Sequence, residues 1–319
     1  MKRAPVSMLT GLAAAAAVLS TTVPAPSADA ATGHSRTAAS TSAAANADAA
    51  GKVAAKKIIG MSAPADLWGK RTHEVGACGI SARRIFASLR PDGRAQASVI
   101  GQAVAAHQMP VVSYKVPSVD MLIHGGYDSW LRATHRYLAH FGVPVTATFW
   151  HEPYGNMAPA KFRAGSRKFL DIFKTGKTPK VKVGPILNGW LLDNKVPAFA
   201  SFTSRSLLRR WDFVAVDSYQ SGTFSAPGDL LPARAVPLLA RWMQRRGFGH
   251  KPIGLGEYNG FTAAAIKVAG EAILSTPEAW FGLAWNSSSG TKYAPLAGKR
   301  ITKFKKTKAD ARAVHRSGC

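Results

Sequence analysis

Short apolar segments that alternate with longer segments of helical period constrain the fold of this chain more than any other feature. Eight of the apolar segments have the composition of strands, at 57–61, 81–89, 109–116, 144–150, 181–187, 211–217, 252–256 and 279–285. The stretches between most of them have the apolar spacing of helices, at 92–107, 127–141, 158–174, 229–246 and 262–274. Strands separated in this way are parallel, and eight of them close into a barrel. The sequence therefore predicts an α/β protein, a single-domain (β/α)8 TIM barrel.

Two parts of this pattern are weaker than the rest. The stretch 63–79, between the first two strands, has no obvious helical period, and the fifth crossover has only 197–210 available. An open doubly wound sheet is the alternative arrangement of alternating strands and helices. Because no G-x-G-x-x-G follows the first strand, the dinucleotide-binding form of that sheet is disfavoured. The barrel remains the prediction.

The N-terminal residues predict export. Lys2 and Arg3 precede an apolar run over 8–19, and Ala28-Asp29-Ala30 supplies the small residues of a cleavage site. Residues 1–30 are therefore predicted to be a signal peptide, and the mature protein is predicted to be secreted into the extracellular space. The apolar run is shorter than the ~20 residues that a membrane anchor requires.

The rest of the chain divides into a tail and a domain. Residues 31–51 are mostly Ala, Ser and Thr and cannot bury a core, so we expect a flexible segment. Residues 52–319 have the ordinary length of one (β/α)8 barrel and end in a basic segment. Nothing in this domain approaches the ~20 apolar residues of a membrane helix, so no membrane span is predicted.

Two glutamates leave predicted strands at corresponding points. Glu152 follows the strand 144–150, and Glu257 follows the strand 252–256. Because parallel strands present their carboxyl ends at one edge of a barrel, both side chains are expected there. Hydrolysis of a glycosidic bond needs such a pair, since one carboxyl group protonates the leaving oxygen while the other attacks the sugar or activates water. The alternative is that each glutamate is a solvated loop residue or an ion-pair partner.

Three short motifs stand at these strand ends, namely His151-Glu152, Asp217-Ser218-Tyr219 and Gly256-Glu257-Tyr258. They resemble those of glycoside hydrolase family 26, a group of retaining (β/α)8 enzymes of clan A that contains endo-β-mannanases and some glucanases and xylanases. The resemblance implies an O-glycosyl hydrolase that degrades a β-linked polysaccharide, mannan-like or glucan-like. It also implies that Glu152 is the acid/base and Glu257 the nucleophile of a double displacement.

The chain departs from the family pattern at two positions. Thr148 and Met157 stand where the family has an Arg and an aromatic residue. These departures leave the substrate open, and they support a second function from another class. In that alternative the protein is a non-catalytic secreted barrel that binds anionic envelope or matrix polymers through a basic surface.

Aromatic and polar residues near strand ends are candidate substrate-binding residues, because sugars stack their apolar faces on aromatic rings while their hydroxyls meet polar groups. Trp285, at the end of the last strand, is the best candidate for a stacking platform. Tyr219 is expected to donate a hydrogen bond to Glu257, and His151 to contact the sugar or orient a carboxylate. The alternative for each is an ordinary packed or loop residue. The remaining candidates are Trp68, Tyr154, Asn188 and Trp190.

No motif predicts a metal, a cofactor or a serine nucleophile. The nine histidines include no H-E-x-x-H, the two cysteines include no C-x-x-C, and no Gly-x-Ser-x-Gly elbow is present. We therefore expect neither cofactor nor metal, although His151, Glu152 and Asp217 would be usable ligands. In an exported chain, Cys78 and Cys319 predict one structural disulfide, and two free thiols are the alternative.

The charge of the chain is strongly basic. Its 42 Lys and Arg residues outnumber its 17 Asp and Glu residues, which gives a formal net charge of +25. Such a surface attracts polyanions without sequence specificity, and no motif for sequence-specific nucleic-acid recognition is present. The predicted partners of this monomer are a polysaccharide substrate and, nonspecifically, anionic envelope polymers. A solvated basic face is the alternative.

Overall fold

The computed structural model describes residues 55–176, 178–288 and 292–315. These residues belong to one compact unit, Val53–Cys319. The predicted signal peptide over 1–30 and the predicted flexible segment over 31–51 lie outside the described residues, so both stay predictions.

The described residues form nine strands in one parallel sheet with the order β5-β4-β3-β2-β1-β9-β8-β7-β6. Except for β5 and β6, consecutive strands are neighbours and are joined by helical crossovers, as a (β/α)8 barrel requires. The predicted fold class is therefore confirmed. The strands are β1 (Ile58–Ser62), β2 (Ala82–Ser88), β3 (Met109–Lys115), β4 (Val145–Phe149), β5 (Val181–Val183), β6 (Ile186–Asn188), β7 (Val214–Tyr219), β8 (Ile253–Asn259) and β9 (Ala279–Trp285).

The barrel closes at a broken strand. The predicted fifth strand, 181–187, is interrupted by Gly184-Pro185, so that β5 pairs only with β4 and β6 pairs only with β7. Proline has no backbone N–H to continue a ladder. At Gly184 an added Cβ would lie 2.3 Å from the carbonyl oxygen of Phe213, so only glycine allows the chain to pass this close. The two short strands together occupy the position of the fifth strand of the barrel.

Helices surround the sheet, and most of them match the predicted segments. In α4 the buried residues Leu131, Thr134, His135 and Leu138 recur at helical spacing and face the sheet. Side chains cap some helix starts, as where Thr262 accepts a hydrogen bond from the N–H of Ala265. The helices are α1 (Trp68–Val75), α2 (Ala97–Ala105), α3 (Val119–Ile123), α4 (Asp128–Ala139), α5 (Pro159–Phe173), α6 (Trp190–Asn194), α7 (Val196–Ser201), α8 (Arg205–Arg210), α9 (Ala235–Arg245, preceded by a 3-10 turn at Pro232–Arg234), α10 (Ala263–Ser275) and α11 (Lys299–Lys308).

Both weak parts of the predicted pattern are helical. The stretch 63–79 contains α1, which buries only Val75 fully and therefore shows no apolar stripe in the sequence. The fifth crossover consists of three short helices, α6, α7 and α8, rather than one helix over 197–210. Among the described helices, none combines the length and the apolar character that crossing a membrane would require.

The basic C-terminal segment is part of the barrel. Phe304 of α11 is fully buried, and Thr307 packs against α10 so closely that a Cβ added at Gly270 would lie 2.1 Å from its hydroxyl oxygen. After α11 the backbone returns to the start of β1, where the N–H of Lys57 donates to the carbonyl of Arg312 over 2.8 Å. The sequence alone left the folding of this segment open.

The barrel interior changes character along its axis. At the next inward-facing position after the apolar layer stand Arg84 on β2, Ser113 on β3 and Asp217 on β7, all buried. Strand residues two positions apart share a face, so the apolar floor and the polar mouth belong to the same strands. The floor is formed by Ala82, Met109, Val111, Ile186, Phe213, Ala215, Phe281 and Leu283.

Candidate active site

The backbone after β4 holds Glu152 at the barrel mouth in an unusual conformation. Trp150 and Glu152 have positive φ angles of 47° and 48°, a region that non-glycine residues adopt rarely. The N–H of Trp150 donates to the carbonyl of Tyr114 over 3.0 Å, and the N–H of Glu152 donates to the carbonyl of Ile186 over 2.9 Å. Bonds to both neighbouring strands therefore fix the turn that presents Glu152.

Glu257 lies within β8 rather than after it, because the strand extends to Asn259 instead of ending at residue 256. The register between β7 and β8 shifts beside this residue. Gly256 makes room for the shift, since a Cβ there would lie 2.6 Å from Oδ1 of Asp217 and 2.7 Å from Cγ2 of Ile186. The bulge turns the side chain of Glu257 into the barrel mouth, where only 5% of it is exposed.

Two side chains hold the carboxylate of Glu257. The Nε of Arg84, whose side chain is completely buried, lies 3.4 Å from Oε1. The hydroxyl of Tyr219 donates to Oε2, as the sequence predicted. Burial raises the pKa of Glu257, and the charge of Arg84 together with the hydrogen bond from Tyr219 opposes that rise. Arg84 and Tyr219 therefore favour the ionised form of Glu257 and offset part of the cost of its burial.

Glu152 has the opposite environment. Burial, followed by the negative charge of Glu257, raises the pKa of Glu152 from 4.5 to about 7, while Arg84 and Lys115 oppose the rise. No positive group is in contact with this carboxyl group among the described ion pairs. Glu152 is therefore protonated in mildly acidic solution, and it can give up its proton near neutral pH.

A third carboxyl group, Asp217, is buried close to both glutamates. Burial raises its pKa well above the usual value, and the negative charges of Glu257 and Glu152 raise it further. Asp217 lies on β7 in register with Glu257 on β8. The raised pKa favours the uncharged form of Asp217, because burial penalises its charge and both neighbouring glutamates repel it.

Both glutamates line a cavity of about 550 Å³ at the barrel mouth, called here the Glu257 cavity. The predicted residues His151, Tyr219 and Trp285 line it as well. The ring of His151 packs against Phe86 with 5.0 Å between centroids, and Phe86 meets Trp285 edge to face at 5.8 Å. The structure therefore places these predicted residues together, around one cavity of a size that suits small ligands.

His151 is a neutral member of this group. Burial is the main cause that lowers its pKa to about 2, and the charges of Arg84 and Lys115 lower it further. Among the described residues, no group forms a hydrogen bond with its Nδ1. The ring therefore offers a neutral hydrogen-bonding group at the cavity wall instead of a charge.

A second cavity of about 330 Å³, called here the Asn188 cavity, adjoins the first. Glu152 and Tyr219 line both cavities, whereas Glu257 lines only the first. Asn188 and Trp190 line the second one, and Oδ1 of Asn188 accepts a hydrogen bond from the N–H of Tyr154 over 3.0 Å. The rings of Tyr154 and Trp190 lie 6.3 Å apart, and Trp190 is 48% exposed.

Among the predicted substrate-binding residues, Trp68 and Tyr154 line neither cavity, and Trp68 lacks the hydrogen bond that joins Tyr154 to Asn188. Trp68 begins α1 in the helix layer, where the guanidinium of Arg83 lies 4.0 Å from the centre of its ring. Arg83 and Arg84 are consecutive on β2, so their side chains point to opposite faces of the sheet. Trp68 thus covers the outer face of the sheet and lies outside both cavities, and its part in sugar binding stays a prediction.

The structure addresses the disulfide and metal predictions only within the described residues. The carbonyl of Cys78 accepts a hydrogen bond from Nζ of Lys308, while Cys319 lies outside the described residues, so their pairing stays a prediction. Within 55–176, 178–288 and 292–315, no group of three or more His, Cys, Asp or Glu side chains is arranged to hold a metal ion.

The fold of the chain is similar to that of several glycoside hydrolases of known structure. No protein-family model matches the chain, and no curated protein matches it. A family 26 β-mannanase from Bacteroides ovatus matches with a TM-score of 0.57 at 13% identity, over 82% of this chain and 90% of that one. GH26C from a Muricauda species matches with a TM-score of 0.56 at 10% identity, over 82% of this chain and 87% of that one. The endo-β-1,4-glucanase Xac0029 from Xanthomonas axonopodis pv. citri matches with a TM-score of 0.55 at 16% identity, over 79% of this chain and 98% of that one.

These proteins share with the chain the barrel that the family 26 motifs imply. The resemblance drawn from three short motifs is therefore matched by a likeness over most of the fold. The likeness covers between 87% and 98% of the length of each of the three proteins.

Sequence reasoning missed several residues of the site. Arg84, Phe86, Ser113 and Lys115 lie on β2 and β3, which the sequence identified only as strands. The signal that marks Arg84 is the pair Arg83-Arg84 inside an otherwise apolar strand, because a buried charge needs a partner. Asp217 was noticed as part of a motif, but nothing in the sequence showed that it would be buried beside both glutamates.

Proposed function

We propose that this protein is a secreted glycoside hydrolase that cleaves a β-linked polysaccharide, mannan-like or glucan-like, by a retaining double displacement. The observation that carries the proposal is the pair of buried carboxyl groups with opposite environments at one cavity. Glu257 lies beside Arg84 and Tyr219, which favour its charge, whereas the pKa of Glu152 is raised to about 7 by burial and by Glu257. A nucleophile and a general acid need this difference.

In the first step, Glu257 attacks the anomeric carbon while the bond from that carbon to the leaving oxygen breaks. Glu152 gives its proton to the leaving oxygen, and a glycosyl ester of Glu257 remains. In the second step, the ionised Glu152 takes a proton from a water molecule, whose oxygen attacks the anomeric carbon and releases Glu257. Tyr219 is a positioning residue in both steps, because it holds one oxygen of Glu257 and leaves the other beside Arg84.

The substrate class is supported by the cavity walls and by the names of similar proteins. Phe86 and Trp285 place aromatic surface in the Glu257 cavity, where it suits the apolar face of a sugar ring. Trp190 and Tyr154 extend aromatic surface beyond the Asn188 cavity. Among the similar structures are a β-mannanase, an endo-β-1,4-glucanase and a Cel5A from Thermotoga maritima in complex with mannotriose. The composition of residues 1–30 supports secretion.

The test is hydrolysis of β-mannan, β-glucan and xylan by residues 31–319, beside the variants Glu257→Ala and Glu152→Ala. Turnover of one polymer that is lost in both variants supports the proposal, and a product that keeps the anomeric configuration supports the double displacement. Glu278→Ala is the matched control, because Glu278 precedes β9 at the opposite end of the barrel. Normal turnover by Glu257→Ala would refute the assigned roles.

The pH dependence tests the role of Glu152 separately. Because Glu152 must hold its proton in the first step, kcat/KM should fall as the pH rises through about 7. A dinitrophenyl glycoside has a leaving group that needs no protonation. With that substrate the fall should disappear, and Glu152→Ala should still form the glycosyl ester. A fall of equal size with both substrates would assign the titration to another group.

The second candidate function is a non-catalytic barrel that binds anionic polymers. It is favoured by the net charge of +25 and by the exposed lysines of α11, Lys299, Lys305 and Lys306. In that case no polymer is hydrolysed, and binding to polyanions weakens steeply with salt. Replacing the three lysines by Gln would reduce such binding and leave any hydrolysis unchanged.

A further inference from the structure

The two cavities have different roles if the proposed function holds, and this inference rests on it. The sugar that the nucleophile attacks must lie against Glu257, whereas the general acid contacts the sugars on both sides of the broken bond. Glu152 lines both cavities, and Glu257 lines only one. The Glu257 cavity therefore receives the sugar that becomes attached to the enzyme, and the Asn188 cavity receives the leaving sugar.

A lysine stands at the wall of the Glu257 cavity. Lys115 is the last residue of β3, opposite Ser88 of β2, and its side chain is exposed. Its ammonium group lies 5.4 Å from the centre of the Trp150 ring. Among the described residues, no ion pair and no side-chain hydrogen bond involves this ammonium group, in contrast to Lys161 and Lys168, which contact aspartates at 2.6 and 2.8 Å.

The charged groups around Lys115 leave its charge uncompensated. Arg84 is already paired with Glu257 beneath the cavity. His151 is neutral, because burial and the two cations hold its pKa at about 2. Glu152 carries no charge in the state that starts the reaction, because its proton is needed for the leaving oxygen. Lys115 thus lines the space proposed for the attacked sugar, and its ammonium group has no anionic partner among the described residues.

We propose that the sugar bound in the Glu257 cavity carries a carboxylate, so that the substrate is an acidic β-linked polysaccharide containing uronic acid residues and Lys115 is the residue that selects them. A neutral hexose offers only hydroxyl groups to this site, whereas a uronate offers the missing anion. Lysine suits this contact because it is a point charge on a flexible stem and imposes no planar geometry. The basic surface of the chain would bring such a polymer to the cleft by long-range attraction.

The experiment compares sugars that differ only in this charge. Cellotetraose and mannotetraose are measured beside the same oligosaccharides oxidised to the carboxylate at C6. Binding is measured by calorimetry with Glu257→Gln, which does not turn the ligands over. At low salt the oxidised form of at least one of them should bind about fivefold more tightly than its neutral parent, and the preference should shrink as salt screens the contact.

The preference should disappear in Glu257→Gln that also carries Lys115→Met, which keeps the length of the side chain and removes its charge. Lys305→Met is the matched control, because Lys305 is exposed on α11 and lies outside both cavities, and the preference should persist in it. A preference that survives Lys115→Met, or that Lys305→Met reduces equally, overturns the assignment to Lys115.

The remaining outcomes separate this inference from the proposed function. Equal binding of the oxidised and neutral forms, or no binding of either, overturns the acidic substrate even where the wild type hydrolyses a neutral polymer. A carboxylate preference that depends on Lys115, together with no hydrolysis of any polymer by the wild type, keeps the acidic ligand and refutes the enzyme. An effect of Lys115→Met confined to the pH profile, without a change in carboxylate preference, shows that Lys115 only tunes the pKa of Glu152 and also overturns the inference.

Discussion

The floor and the mouth of the barrel are built from the same strands, yet they have opposite chemistry. The floor consists of apolar side chains such as Phe213 and Phe281, whose rings meet edge to face at 5.5 Å. The mouth holds Arg84, Asp217 and Glu257, which are as deeply buried but are ionisable. One inward position along a strand therefore separates residues that stabilise the fold from residues whose burial has a cost in stability. Burial of the apolar floor offsets the free-energy cost of burying the ionisable groups at the mouth.

The largest expected effect concerns the mouth. Glu257→Gln removes the proposed nucleophile, and we expect kcat/KM on the substrate polymer to fall by more than about 10⁴-fold. The measurement is the initial rate of reducing-sugar release, with Glu278→Gln as the control at the other end of the barrel. A loss of less than tenfold would mean that Glu257 does not take part in the reaction.

The next effect concerns the floor. Phe213→Ala should lower the free energy of unfolding by about 3–5 kcal/mol, because the side chain is completely buried and leaves a cavity. The activity per folded molecule should change little, since Phe213 lies below the site. Chemical denaturation followed by fluorescence gives the first quantity, and active-site titration gives the second. Lost activity in fully folded protein would show that the two ends are coupled.

A smaller effect links stability to pH at the mouth. The pKa of Glu152 is 4.5 when exposed and about 7 in the folded protein, so folding favours its neutral form. The free energy of unfolding should therefore be highest below pH 4.5 and should fall, on account of this residue, by about 3 kcal/mol as the pH rises from 4.5 to 7. In Glu152→Gln this part of the fall should be absent. Denaturation curves at pH 4, 6 and 8 make the comparison, and identical pH dependences would contradict the raised pKa.

The smallest effect concerns the hydrogen bond from Tyr219 to Glu257. Tyr219→Phe removes one hydroxyl from the mouth, and we expect kcat to fall by about 10- to 30-fold while KM stays within about threefold. The acidic limb of the pH profile should move to higher pH, because Glu257 loses a group that stabilises its charge. Tyr137→Phe is the control, since Tyr137 lies on α4 outside both cavities. An unmoved limb would show that Tyr219 is only structural.

The sequence predicts the parts of this molecule that depend on local pattern. Glu152 was placed at the mouth because it follows an apolar strand, and strand ends in a parallel barrel share one edge. The broken strand at Gly184-Pro185 was read as continuous, because its residues are apolar on both sides of the break. The helix α1 was missed because it buries only Val75 fully and has no apolar stripe.

The site residues that the sequence did not predict depend on register between strands. Arg84 and Lys115 become neighbours of the glutamates only through the stagger of β2, β3 and β4, which no single segment encodes. The position of Trp68 has a related cause. The sheet turns Arg83 outwards, and its guanidinium packs on the Trp68 ring in the helix layer, outside both cavities. Distances between segments are fixed by packing, so they are visible in the fold and not in the chain.

The bond from the N–H of Glu152 to the carbonyl of Ile186 crosses the point at which the barrel closes. Ile186 is the first residue after the break, and it belongs to the strand that pairs with β7. Any local opening between the end of β4 and β6 would therefore displace Glu152 while leaving Glu257 anchored to Arg84 and Tyr219. Heating should thus abolish turnover before it unfolds the protein, and the amide of Glu152 should exchange its hydrogen earlier than that of Glu257. The closure of the barrel is therefore expected to be the part of the site that is most sensitive to temperature.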